Sequence, residues 1–329
     1  MKTLPFKLLL IIGFVGLLAG CASMTPKYKF TINEPIVSNI KYDTGPKKPV
    51  VLKIVDQRTN KVFHNKLSSL TQAQIDLANV EDPIAWLSQA LEKEFSARAI
   101  PLKVADKNTT ATPDLVLTIK KYQLTSRLVA WLSPWESYHS FMGELTSSGQ
   151  TYGIRSYFFN GKVYGGALKE IEDACYNTPM SILVKDIASK INYFALHYSA
   201  SDGQIGEIRA RAEKKIKTHD DDTYRPVLDL GNSNNPNAVK TLVVFAAVKD
   251  QFTRACALSS IGTLGAQEHL GFLKMKYAEY SEIGKFMALK SIGDIGTPEA
   301  IDFIRKAKDN PQYNSEYGLK YVVDIYLER

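Results

Sequence analysis

Side chains able to do chemistry are sparse and scattered in this 329-residue chain. The histidines are His64, His139, His197, His219 and His269, and none forms the HxxxH or HExxH spacing that sets two imidazoles on one helix face for zinc. Ligand types cluster once, where His219 precedes Asp220, Asp221 and Asp222. Three carboxylates opening a helical segment also complement its positive dipole end, so they read as solvated charges, and no metal site is expected. GxSxG, a P-loop and GxGxxG are missing. No catalytic residue and no cofactor is therefore expected, although a triad assembled from distant positions leaves no local trace. Cys175 and Cys256 lack CxxC partners and read as two buried apolar thiols rather than a bridge. The stretch VAWLSPWESYHSF places Trp131, Trp135, Tyr138 and Phe141 in what looks like a connection. Large aromatics there mark either a partner-contact site or a lid closing over the end of a sheet as core.

The third cysteine, Cys21, has a different setting. Lys2 and Lys7 precede thirteen uncharged residues, Leu8 to Gly20, too few for the roughly 20 apolar residues that a bilayer-spanning helix needs. The run ends in Leu18-Ala19-Gly20-Cys21, which resembles a bacterial lipobox. That resemblance implies a signal peptide over residues 1–20, cleavage before Cys21, a diacylglyceryl group on its thiol and an acyl chain (a palmitate-type lipid) on the new amino group. Several chains matter because one acyl chain holds a membrane only marginally. Ala22, where an Asp would retain the protein at the inner membrane, implies an outer-membrane, periplasm-facing location. Removal of Lys2 and Lys7 takes the formal charge from +7 to +5. No run of five Lys or Arg occurs, so no nucleic-acid partner is expected.

These groups need elements to hold them. Residues 21–49 carry Pro26, Pro35, Pro46 and Pro49 and read as a tether with one short strand near Tyr28–Ile32. Alternation in VVLKIVD and in PDLVLTIKKYQLT predicts strands over 50–56 and 113–125. Ile84, Leu87, Leu91 and Phe95 fall at helical steps after Asp82 as N-cap and Pro83 at the first helical position. Asn160-Gly161 predicts a tight hairpin turn, and Ile182, Leu183, Ile187, Ile191 and Phe194 predict a helix from Thr178 to Tyr198. An α+β domain follows over 50–200, a small antiparallel-rich sheet with two helices on one face. It resembles the YajG-type bacterial lipoproteins in Asp56-Gln57-Arg58-Thr59, in LEKEFSARAI (Leu91–Ile100), in the PDLVLTIKKYQL strand, in Asn160-Gly161-Lys162 and in Asp186-Ile187-Ala188. It departs in the longer connection from Leu128 to Gln150. The resemblance implies fold and location more than activity.

After a helical linker over 201–219, the text repeats every 31 residues: DLGNSNNPNAVKTL, SIGTLGAQEHLGFL, SIGDIGTPEAIDFI. Each copy reads as two helices around a reversal. Helix Ile283–Ile292 would end at Gly293 in the left-handed conformation, with Gly296 reversing the chain and Thr297 and Pro298 opening the next helix. One hairpin leaves its apolar faces wet, and stacked hairpins do not. The pattern over 220–329 is similar to HEAT-type repeats of the phycobilisome-lyase kind, which implies an all-α solenoid and no lyase activity. The expectation is a lipid-anchored module that contacts an unidentified envelope protein through an extended surface. A ligand binder with a groove between sheet and solenoid, and a hydrolase with a dispersed site, are the alternatives.

Overall fold

The computed structural model describes residues 27–43, 48–67, 74–105, 112–128, 134–163 and 167–328. The chain is a mixed α+β fold. Its strands are β1 (Lys27–Thr31), β2 (Val50–Asp56), β3 (His64–Leu67), β4 (Gln74–Ala78), β5 (Leu102–Val104), β6 (Leu115–Arg127), β7 (Trp135–Ser147) and β8 (Gln150–Val163). The main sheet runs β5-β2-β6-β7-β8, with β3 pairing the far end of β6 beyond β2. Its two long pairings, β6–β7 and β7–β8, are antiparallel, while β2–β5, β2–β6 and β3–β6 are parallel. β1 and β4 form a separate parallel pair. Helix α1 (Pro83–Ala97) lies in the crossover between the parallel strands β2 and β5, with Asp82 accepting from the amides of Ile84 and Ala85.

The expected hairpin at Asn160-Gly161 does not form. β8 runs straight through it, with Asn160 opposite Ser137 and Gly161 opposite Glu136. The turn lies earlier, at Ser148 (φ 49°) and Gly149 (φ 80°), which supply the two consecutive positive φ values that a tight hairpin requires. The presumed connection from Leu128 to Gln150 is consequently mostly strand β7, thirteen residues long.

Helices cover both faces of the long strands, not one. Alternation sends Ser126, His139 and Ser156 toward a nearly continuous helical segment: α2 (Leu168–Glu172), a π-helical turn (Asp173–Asn177), α3 (Thr178–Ile191) and a second π-helical turn (Asn192–Leu196). Arg155, Tyr157 and Tyr138 point the other way, onto a helix from the C-terminal array. That array comprises α4 (Asp202–Thr218), α5 (Tyr224–Gly231), α6 (Val239–Phe245), α7 (Gln251–Thr263), α8 (Leu270–Glu279), α9 (Glu282–Ile295), α10 (Pro298–Ala307) and α11 (Tyr317–Leu327). The segment read as a linker is thus α4, whose Ile205, Ile208 and Ala212 are buried, and it packs on α5. The array wraps the β8 edge. Phe252 of α7 meets Phe158 on one face, and Phe286 of α9 and Tyr321 of α11 meet Phe159 and Tyr138 on the other. An open strand edge is thereby covered.

The described part of the presumed tether is packed. Phe30, Ile32, Ile40 and Tyr42 are buried, with Phe30 between Trp135 and Tyr176. The reason is a buried ion pair on α1. Glu94 meets the Arg98 guanidinium at 2.7 Å, and their remaining valences are filled by the Ser38 amide on Glu94 and by the Tyr42 hydroxyl on Arg98. An incompletely solvated pair of this kind needs those partners, so the chain is held down across it. Residues 21–26 and 44–47 lie outside the described residues, as does the signal segment.

Within the array, the repeated glycines have two jobs. Gly265 and Gly296 take the left-handed conformation at the reversals (φ 66° and 67°). Gly293, expected to end a helix, lies inside α9, and so does its equivalent Gly262 inside α7. A Cβ on Gly262 would lie 2.4 Å from the Ser291 Cα, one on Gly231 2.9 Å from the Ser260 Cα, and one on Gly293 2.4 Å from the Tyr326 ring. Each marks the point where one helix touches the corresponding helix of the next unit. Gly262→Ala must therefore push α7 and α9 apart, and a loss of about 1–3 kcal/mol in chemical denaturation is expected. Gly271→Ala, on an open helix surface with nothing within 4 Å, should be neutral or gain up to ~1 kcal/mol. Equal effects from the two substitutions would refute this account.

At the junction of sheet and array, α3 and α9 exchange charges. Lys190 lies 2.8 Å from Asp186 and 2.6 Å from Asp294, and Lys290 lies 2.9 Å from Asp186 and 2.7 Å from Asp294. The four form a closed alternating ring, buried, with Ser156, Thr263 and Tyr326 donating to its carboxylates. Burial alone would raise the Asp186 pKa, but Lys190 and Lys290 more than offset it and hold the carboxyl far below its usual range. Likewise burial would lower Lys290, and Asp186 and Asp294 keep it charged. Lys290→Met leaves two carboxylates sharing one ammonium, and the unfolding free energy should drop by about 3–5 kcal/mol. A drop below about 1 kcal/mol would show that the ring contributes geometry without stability.

Candidate interaction cleft

The structure disperses the aromatic residues expected to touch a partner. Trp131 lies outside the described residues, as does Cys21. Trp135, Tyr138 and Phe141 are buried, because β7 is an inner strand covered on both faces. Trp135 packs edge-on to Tyr28 and Phe30, and Phe141 packs against Tyr122. These three lie in the buried interior rather than in an exposed connection.

Tyr138 nonetheless forms the floor of a cleft of about 310 Å³ where the sheet meets the array, together with Phe159 and Phe286. Arg127 and Glu136 stand on the sheet side, and Glu282, Gln312, Glu316 and Tyr317 on the helical side. The Arg127 guanidinium sits 2.8 Å from Glu136 and 4.7 Å from the Tyr317 ring centroid. Burial would depress the Arg127 pKa, but the Glu136 hydrogen bond outweighs it and keeps the group cationic. Tyr138 donates to the same Glu136 carboxylate at 2.6 Å, and burial first, then that carboxylate, push its phenol far above the ordinary value. Lys285 donates to Gln312 at 3.0 Å and lies 3.5 Å from Glu316. Glu282 opens α9 in the left-handed region (φ 50°), a strained setting for a non-glycine residue. The arrangement is an aromatic floor under a rim of side chains that already pair with one another. Arg127, Gln312 and Tyr317 carried no sequence signal, because they converge only when α11 docks on the sheet.

The remaining candidates are structural. Lys215 pairs with both Asp220 and Asp222 at the end of α4, where His219 adopts a left-handed cap (φ 56°). Among the described residues no group of three or more His, Cys, Asp or Glu is placed to hold a metal ion. Cys175 and Cys256 are unpaired and buried, and burial pushes the Cys175 thiol up to about 12. The sheet does bring His64 within 2.9 Å of the Ser126 hydroxyl, which also meets Tyr176. Ser126 is 1% exposed, and burial with the nearby Lys66 charge holds the imidazole down at about 4. That pair has neither access nor a basic ring at neutral pH.

His139 is fully buried, with its Nε2 3.0 Å from the Cys175 carbonyl oxygen, and burial holds its pKa down at about 3. The unfolded chain protonates both of these histidines near 6.5, whereas the folded chain does not. Their contribution is thus fully present above about pH 6.5 and declines as the pH falls toward the folded values, by about 1.4 kcal/mol per pH unit for each histidine. His139→Gln should lower stability at pH 7 yet flatten the decline between about pH 6.5 and 4, read from denaturation midpoints across that window. Parallel pH profiles for the two proteins would contradict the assignment.

No family model matches the chain, and no curated protein does. A solved structure described only as that of an uncharacterized protein is similar at 14% sequence identity with a TM-score of 0.28, covering 53% of this chain and 99% of that one.

Proposed function

We propose that this protein is a bacterial envelope lipoprotein, anchored in the outer membrane through acylated Cys21, that binds another envelope protein without catalysing a reaction. In this reading the sheet and its helices form a YajG-type domain, and the C-terminal array is a HEAT-like solenoid offering contact surface. The observation that carries the interaction role is the cleft of Arg127, Glu136, Tyr138, Phe286, Gln312 and Tyr317, open at the junction of the two parts. An aromatic floor with a polar rim is the anatomy of a protein contact site, and its paired charges suit orientation of a partner rather than bond making. Exposed Val244 and Met275 on the outer helices α6 and α8 add apolar contact surface. Among the described residues no helix is long and apolar enough to cross a membrane; in this reading the acyl chains on Cys21 are the attachment.

One in-cell experiment tests both parts. A photo-crosslinking residue is placed at Ser315, on the cleft rim, in chains carrying Cys21 or Cys21→Ser. The Cys21 chain should fractionate with the outer membrane and give discrete protein adducts. Cys21→Ser should leave the precursor unprocessed and strip the adducts or shift them to inner-membrane proteins. Unchanged processing and fractionation of Cys21→Ser would remove the lipid anchor, and an absence of protein adducts from the Cys21 chain would remove the contact role.

A further inference from the structure

A second site, on a different face from the cleft, arises where three departures from regular backbone meet. The π-helical turn Asn192–Leu196 closes α3, His197 follows in the left-handed conformation (φ 60°), and Asn234 in the loop after α5 does the same (φ 52°). Such features persist only when surrounding contacts over-determine them, and they gather at functional sites. Here the contacts are explicit. Buried Asn192 bonds the Tyr198 carbonyl oxygen at 2.8 Å and the Tyr198 amide at 3.1 Å, and the Asn234 amide nitrogen bonds that same carbonyl at 2.7 Å.

The turn so held presents rings. Phe194 stacks on Tyr152 of β8 with centroids 5.0 Å apart at 18°, and Tyr193 stands edge-on to Phe194. Tyr193 is 39% exposed, and its hydroxyl lies over Gly265, where a Cβ would come within 2.9 Å. Tyr152, Tyr193, Phe194, His197 and Asn234 line a depression of about 410 Å³.

The lining selects its ligand by chemistry. It holds no Asp, Glu, Lys or Arg, so neither a cation nor a phosphate-bearing strand has a counter-charge there. Aromatic-lined grooves also accept proline-rich segments, which offer carbonyl oxygens and few N–H groups. The unused polar atoms point elsewhere. With its nitrogen committed to Tyr198, Asn234 has its side-chain carbonyl oxygen left over, an acceptor that calls for a donor on the ligand. A sugar supplies hydroxyl donors, and one face of a pyranose ring presents polarised C–H groups to the negative face of an aromatic ring. We propose that this shelf binds a neutral saccharide, with a pyranose face against Tyr193 and hydroxyls donating to Asn234 and exchanging hydrogen bonds with His197. The site shares no lining residue with the cleft.

The test titrates the purified full chain with triacetylchitotriose, cellotriose and maltotriose, read by calorimetry and by tyrosine fluorescence. At least one is expected to bind at millimolar concentration or below. Tyr193→Ala and Asn234→Gly, the latter compatible with the left-handed backbone, should each weaken that binding about ten-fold or more while leaving the thermal midpoint within a few degrees. Leu168→Ala, exposed at the opposite end of the helical segment from Tyr193, should leave it unchanged. Binding by none of the three sugars, or binding that survives both shelf substitutions, overturns the proposal. So does saturable binding of a proline-rich decapeptide that the same substitutions abolish.

Discussion

Two aspartates and two lysines, Asp186 and Lys190 on α3 with Lys290 and Asp294 on α9, close a buried ring of alternating charge on which the rest of the architecture depends. Charges withdrawn from water tolerate little error in position, since each must find its counter-ion in the low dielectric that makes an unpaired one costly. The ring therefore fixes the height and rotation of α9 against α3. Lys190 also donates to the Arg155 carbonyl oxygen of β8, and Ser156 to Asp186, so the same constraint sets both helices against the edge strand. Apolar packing by itself would tolerate a slide along the helix axis more readily than this ring does.

From that fixed junction the other features follow. With α9 lying along β8, the array folds around the edge, and α11 is delivered to the face of the sheet opposite α3. The cleft is the space left between α11, the start of α9 and the ends of β6 and β7. The aromatic shelf is the space left at the other end of α3, where its last turn meets the hairpin side of β8 and the loop after α5. Both sites are seams between the sheet and the array, and neither half of the chain owns one completely. The cleft is charged because it opens among surface residues of both halves. The shelf is lined by Tyr152, Tyr193, Phe194, His197 and Asn234, with no Asp, Glu, Lys or Arg among them.

Much of the local architecture was legible in the residues. Asp82 and Pro83 open α1, Thr297 and Pro298 open α10, and Gly265 and Gly296 turn the array, because capping and positive φ are decided within a few residues of chain. The hairpin was misplaced for a reason of the same scale. Asn160-Gly161 and Ser148-Gly149 both satisfy a tight turn, and strand pairing with β7 decides between them by giving Asn160 a partner in Ser137. Trp135, Tyr138 and Phe141 looked like an exposed loop because a strand buried on both faces loses the polar alternation that marks a half-buried one. Of the cleft only Tyr138 carried a sequence signal as a contact residue, and the shelf carried none, since their members are drawn from segments separated by up to about two hundred residues.

What the sequence determined by itself was periodic and local: the strand and helix stripes, the caps, the 31-residue interval and the Leu18–Cys21 motif. The tertiary structure alone decided partnership. Lys290 meets Asp186 only when α9 packs on α3, and Gly293 read as a helix end until Tyr326 occupied the space beside it. Residues 21–49 read as a tether, yet Ser38 and Tyr42 within it are held by the Glu94–Arg98 pair. In each case the residue type states a need, whether for a counter-charge, for room or for a hydrogen bond. Which distant group meets it depends on how the whole chain closes, because burial is a property of the assembled core and not of any one segment.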